Sequence, residues 1–163
     1  LYPMLLQAEI IANKIGDYDA FKFSIWHHDI IYKSTKKTNV VKSAEFAKNR
    51  LESLNFDKKQ TEIVINLIKS TENHYIISNK NNDNAYFLDL DLSILGTNWN
   101  AYQNYIENIK KEYYVYPDFR YKKGLKKAML HFLERKCIFF TNLYHEQFEN
   151  QARQNIERET STL

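Results

Sequence analysis

Only five residues of this chain are Gly or Pro: Gly16, Gly96, Gly124, Pro3 and Pro117. Average usage would supply roughly 20 in a chain of this length. A β-sandwich or barrel needs a turn signal every few residues, and Gly and Pro usually provide it. Their scarcity excludes that class, and with it collagen-like and Pro-rich disordered chains. The three glycines also stand too far apart for a phosphate-cradling loop of the GxGxxG or Walker type. What remains is an all-α chain whose chemistry comes from helix side chains.

Apolar periodicity supports this reading. It predicts a helix over Leu1–Ile15 stopped by Gly16, and another over Asp19–Ile31 with Asp19 as N-cap and Phe23, Ile25, Trp26 and Ile30 on its apolar face. A basic loop, Lys33–Lys37, follows. Further helices are expected over Asn39–Leu54, from Asp57 to about Thr71, over Ala85–Leu95 up to Gly96, from Asn98 through Tyr113, from Pro117 through Leu133, and over Tyr144–Glu159. That makes seven or eight helices. Tyr75–Ile77 and Tyr113–Tyr116 have β-type composition but are too short for convincing strands. The polar run Ser78–Asn84 reads as an exposed loop, and Gly124 as a close-packing point inside a helix. At 163 residues the chain fits a single domain. Leu1 already lies in an apolar periodic segment, so an upstream segment is expected.

The net charge is +3 and charged residues make up 26% of the chain. Bases and acids alternate along it, so no basic stripe is evident, and a nucleic-acid partner is disfavoured. No apolar run approaches the roughly 18 residues of a membrane span. The single cysteine, Cys137, excludes an internal disulfide, fits the reducing cytoplasm and reads as a buried apolar residue.

Two segments interrupt the apolar pattern with ionisable groups. In SIWHHDIIY, Ser24–Tyr32, two histidines and an aspartate lie side by side within a helix pattern. A carboxylate buried there needs a cation or strong donors, since desolvating it alone costs several kcal/mol. Imidazole nitrogen with carboxylate oxygen suits Zn, Mn, Fe, Ni or Mg. In FLDLDLSILG, Phe87–Gly96, Asp89 and Asp91 interrupt a second apolar run. Two residues apart on a helix, they point in nearly opposite directions, so one can face a metal while the other caps or supports. Read alone, His28-Asp29 is equally a hydrogen-bonded core pair, and Asp91 an N-cap or buried ion pair.

The blocks SIWHHDIIY, TNVVKSAEFA, STENH, FLDLDLSILG, IKKEYYVYPDFRYKKG and FENQARQNIERE, in this order, resemble a bacterial family of predicted metal-dependent HD-superfamily phosphohydrolases of about 200 residues. The resemblance covers nearly the whole chain. It implies an HD-domain-like helical bundle and a divalent metal ion held by His28, Asp29 and Asp91, with Asp89 the second choice for the distal aspartate. It also implies a further histidine upstream, and no histidine precedes His27 here. Asn39, Ser43, His74, Lys110 and Glu112 match other family blocks, and Leu125 stands where the family tends to carry a basic residue. The implied reaction is hydrolysis of a nucleotide or other small phosphoester by a metal-activated water. Asp29 would be ligand and proton acceptor, and Glu112 a general acid or base. Lys37, Asn39, Ser43, His74 and Lys110 would be substrate contacts.

Each position also has a plainer reading. Lys33–Lys37 is equally a solvated loop, Asn39 and Ser43 packing or capping residues, and His74 a loop-tip polar residue. Lys110 and Glu112 are equally part of an exposed charged face. His27 reads as a packed or surface histidine, and His131 and His145 as surface residues. A non-catalytic domain that binds a nucleotide or partner is the alternative function. Apolar and aromatic surface leaves room for a homo-oligomer.

Overall fold

The computed structural model of the protein describes residues 1–77 and 82–163. Among these residues the chain forms eight α-helices and two short 3₁₀ turns, with no strand. The helices are α1 Tyr2–Ile10, α2 Tyr18–His27, α3 Asn39–Ser53, α4 Lys58–Ser70, α5 Asp83–Leu92, α6 Trp99–Glu112, α7 Asp118–Leu133 and α8 Asn142–Thr162. The all-α bundle expected from the Gly and Pro scarcity is what the chain forms, and no described helix is long and apolar enough to cross a membrane. The chain divides into two compact units, Leu1–Asp91 and Leu92–Leu163.

In the first unit α2, α3 and α4 pack around Ala20, Ala44, Ala47, Leu51, Val64 and Ile68. The alanines let the helix backbones approach, and burying Leu51 and Ile68 contributes about 2–3 kcal/mol each. Asp57 caps α4 by accepting from the backbone N–H of Lys59 at 2.9 Å. Asn55, at φ 55°, ends α3 in a left-handed turn in which Phe56 N–H donates to Leu51 O at 3.0 Å.

Several boundaries differ from expectation for visible reasons. α1 ends at Ile10, because the chain tightens into a 3₁₀ turn over Ala12–Lys14 in which Lys14 N–H donates to Ile11 O at 2.8 Å. Asp17, not Asp19, caps α2, accepting from Ala20 N–H at 3.0 Å. α2 ends at His27, four residues early. Trp26 leaves the core and is exposed. Residues 78–81 of the polar run lie outside the described residues. Its last two, Asp83 and Asn84, are buried rather than exposed. Asp83 Oδ1 accepts from Gly16 N–H at 2.9 Å, and Asn84 accepts from Ile77 N–H and donates to Ser70 Oγ, both at 2.7 Å.

In the second unit α8 packs on α7 and on the 3₁₀ turn Ser93–Gly96. Gly96 is the close-packing point. A Cβ there would meet Phe148 Cβ at 2.6 Å and its carbonyl oxygen at 2.7 Å. Gly124 is not one, since a Cβ would meet nothing within 4 Å. Asn155, fully buried, donates from Nδ2 to Leu95 O and Thr97 O, both at 2.8 Å. The Glu149 carboxylate gathers Ile138 N–H at 2.9 Å, Phe139 N–H at 3.1 Å and Arg153 Nε–H at 2.8 Å. Arg153 in turn caps the carbonyls of Leu133 and Arg135. The FENQARQNIERE segment therefore serves as scaffold for the loops around it. Cys137 is exposed, contrary to its reading as a core residue.

Candidate functional site

The end of α2 is shaped by its two histidines. His27 stacks on Phe23, with ring centroids 3.9 Å apart, and its Nδ1–H donates to Phe23 O at 2.8 Å. His28 turns the other way, and its Nδ1–H donates to Ile25 O at 2.8 Å. The His28 ring takes the Ile25 carbonyl, which Asp29 N–H would use in a continuing helix, and α2 ends at His27. The His-Asp doublet thus sits at a helix C-terminus rather than inside a helix. The negative end of the helix dipole favours a positive charge there.

His28 is buried, its ring edge-on to Phe87 at 6.2 Å between centroids. A carbonyl only accepts, so Nδ1 carries the proton in this bond and Nε2 is the nitrogen that faces the site. Asp29 Oδ2 lies 3.5 Å from Nε2, and Asp91 Oδ1 lies 3.6 Å from it. His74 completes the group, with Nε2–H donating to Asp91 Oδ2 at 3.1 Å. His74 has φ 52°, a left-handed conformation uncommon for non-Gly residues though less so for His than for most, and it closes the turn after α4 as Tyr75 N–H donates to Ser70 O. A strained backbone that aims a ring at a carboxylate is a feature of functional sites.

The two carboxylates differ in environment. Burial opposes ionisation of Asp91, but the hydrogen bond from His74 and the charges of His74 and His28 outweigh it, leaving its pKa below the ordinary carboxylate range. Partial withdrawal from water, helped by the nearby Asp91 charge, raises Asp29 against the pull of His28. Asp29 still has a side chain 59% exposed, so it is the member of the group that meets solvent.

Of the residues singled out in the sequence, the structure brings together His28, Asp29, Asp91 and His74. Asp89 is fully buried. Asn39 and Ser43 clamp the loop after the doublet. Asn39 accepts from Lys33 N–H at 3.2 Å and donates to Lys33 O at 2.9 Å, while Ser43 Oγ accepts from Ile31 N–H at 3.1 Å. Their polar atoms hold this loop. Lys37 is exposed in the same loop. Lys110 and Glu112 belong to the second unit. Lys110 pairs with Asp118 at 3.2 Å, and Glu112 is exposed at the end of α6. Leu125 is buried on the inner face of α7. Asp17, which caps α2 and accepts from Gln60, was not singled out in the sequence, because its role depends on a contact 43 residues away.

As they stand, no three or more His, Cys, Asp or Glu side chains among the described residues are arranged to hold a metal ion. No family model, curated protein or solved structure matches the chain.

Proposed function

We propose that the protein is a metal-dependent phosphohydrolase whose centre is His28, Asp29 and Asp91, with His74 positioning Asp91. The observation that carries this reading is the His28 ring. With Nδ1–H committed to Ile25 O, Nε2 faces two carboxylate oxygens at 3.5 and 3.6 Å. These gaps are too long for charge-assisted N–H···O bonds, which run about 2.7–2.9 Å. They match the separation of two donors on one tetrahedral ion with bonds of about 2.1 Å, which is about 3.4 Å. One imidazole nitrogen and two carboxylate oxygens suit Zn, Mn, Fe or Ni better than Mg, which keeps oxygen ligands.

A divalent ion bound there would polarise a phosphoryl oxygen and acidify a water molecule. The chain's own residues do the rest. Ile25 O fixes the His28 tautomer, so Nε2 is the coordinating atom. His74 holds Asp91 ionised and oriented. Asp29, more exposed and with a raised pKa, takes the proton that the attacking water loses. Lys33, Lys36 and Lys37, in the loop clamped by Asn39 and Ser43, supply positive charge for an anionic substrate.

The test is hydrolysis of a panel of nucleotides and bis-(p-nitrophenyl) phosphate, with Mn, Zn, Ni or Mg added and again with excess chelator. Turnover that disappears with chelator and in Asp29→Asn supports the reading. Turnover that survives chelation refutes it. Metal binding with no turnover of any phosphoester favours the non-catalytic binding domain instead.

A further inference from the structure

The second unit carries a surface that the His-Asp centre does not explain. Between residues 110 and 136 there are nine lysines and arginines against three acids. Five of them fall in α7, with no acid between Arg120 and His131. Tyr121, Leu125 and Met129 mark its buried face. Arg120, Lys123, Lys127 and His131 follow at helical spacing of three and four residues on the opposite, exposed face, with Lys126 beside them. An ordinary solvated helix face alternates charge so that neighbours attract. Here Lys123 and Lys127 repel at i,i+4, and neither they nor Lys126 are ion-paired among the described residues. Lys110 and Lys122 are neutralised by Asp118 at 3.2 Å each. The free charges are therefore the outer row.

Beside the start of this helix is an open cavity of about 460 Å³, lined by Tyr113, Tyr114, Tyr116 and Tyr121 with Lys110, Lys111, Glu107 and Asp118. That volume lies in the range of small-molecule pockets and accepts one nucleotide. Tyr114 is 81% exposed and Phe119 68% exposed, so both ring faces are open to a stacking partner. Arg120 already lies over the Phe119 ring at 5.9 Å. Aromatic faces that accept bases, next to a row of cations that tracks phosphates, are the two components of a single-strand binding surface.

We propose that the second unit binds single-stranded nucleic acid, with a base entering the tyrosine cavity and the phosphates running along Arg120, Lys123 and Lys127 of α7. This surface is independent of the His28 reading and stands or falls without it.

The test is fluorescence anisotropy of a labelled oligouridylate of about 16 nucleotides with the full chain, in chelator so that nothing is hydrolysed. About four engaged phosphates predict a log–log salt slope near −3 and about 50-fold weaker binding at about 200 mM than at about 50 mM salt. Lys123→Glu with Lys127→Glu should weaken binding about tenfold or more and flatten the slope. Tyr114→Ala should weaken it about tenfold with the slope unchanged. Lys58→Glu with Lys59→Glu makes the same change of net charge on the exposed start of α4 and should leave binding intact. The proposal is overturned by no anisotropy change at low salt, or by equal loss in the α4 control. Binding to phosphatidylserine vesicles but not to the oligonucleotide would assign the face to a membrane and also overturn it.

Discussion

Replacing His74 separates two things the residue does. Its backbone is left-handed at φ 52°, and its ring donates to Asp91 at 3.1 Å. A residue with a Cβ is disfavoured in that conformation by about 1–2 kcal/mol. Glycine avoids that cost and gives back about 0.4–1 kcal/mol as extra unfolded-chain entropy. The net backbone gain for His74→Gly is about 1 kcal/mol. The ring's bond to a partly exposed carboxylate is worth about 1 kcal/mol, so removing it roughly cancels that gain. His74→Ala loses the bond and keeps the strain. The glycine variant is therefore expected to match wild type, with the alanine variant about 1 kcal/mol less stable, about 2–4 °C in Tm. Circular dichroism melts and urea titrations measure this. Both variants free Asp91, so both should lose the same fraction of metal affinity. Equal stability of the two variants would refute the backbone strain. Unchanged metal affinity in both would refute the positioning role.

Four further outcomes follow from named contacts. Gly96→Ala forces a Cβ to within 2.6 Å of Phe148 Cβ and should destabilise the second unit by about 1–3 kcal/mol, read from urea unfolding. Asn155→Leu strips the donors from Leu95 O and Thr97 O and should cost about 1–3 kcal/mol, whereas Asn155→Ala adds a cavity and should cost more. Because the Asp91 pKa is lowered on folding, its contribution is complete above the ordinary carboxylate pKa of 3.8 and is lost as pH falls through the lower folded value. The acid limb of a stability–pH curve should therefore be shallower in Asp91→Asn than in wild type, and parallel limbs would contradict the assignment. Cys137 is exposed, so one thiol should react with a disulfide reagent in native buffer, and a need for denaturant would place it in the core instead.

Periodicity and capping residues made most of the fold legible in the sequence. Asp57 and Asn98 cap the helices they were expected to cap, Asn98 accepting from Ala101 N–H at 3.0 Å. One failure comes from a side chain that competes with the backbone for its own partner. The pattern carries an apolar helix through Ile31, but the His28 ring takes the carbonyl of Ile25 that Asp29 N–H would use, and the helix ends at His27. Local patterning does not encode that competition, and it decides that Asp29 meets solvent rather than core. The pairing of Asp91 with His28 and His74 was legible only as residue types, since a contact across 17 residues to His74 depends on the left-handed turn that ends α4. Asn39 and Ser43 were singled out by the family blocks they match, and they follow the doublet closely. Their hydrogen bonds to residues 31 and 33 use that closeness to hold the loop. The cationic face of α7 was hidden in the whole-chain charge balance, although no acid stands between Arg120 and His131.

The most direct measurement of the proposed centre is equilibrium binding of Mn²⁺ to the full chain by electron paramagnetic resonance, which counts free aquo-Mn²⁺. The proposed centre predicts saturable binding that is abolished by His28→Ala and weakened by Asp29→Asn, an exposed position whose substitution leaves the helical circular dichroism unchanged. Wild-type protein that leaves the free Mn²⁺ signal undiminished, or identical binding by wild type and both variants, would contradict it.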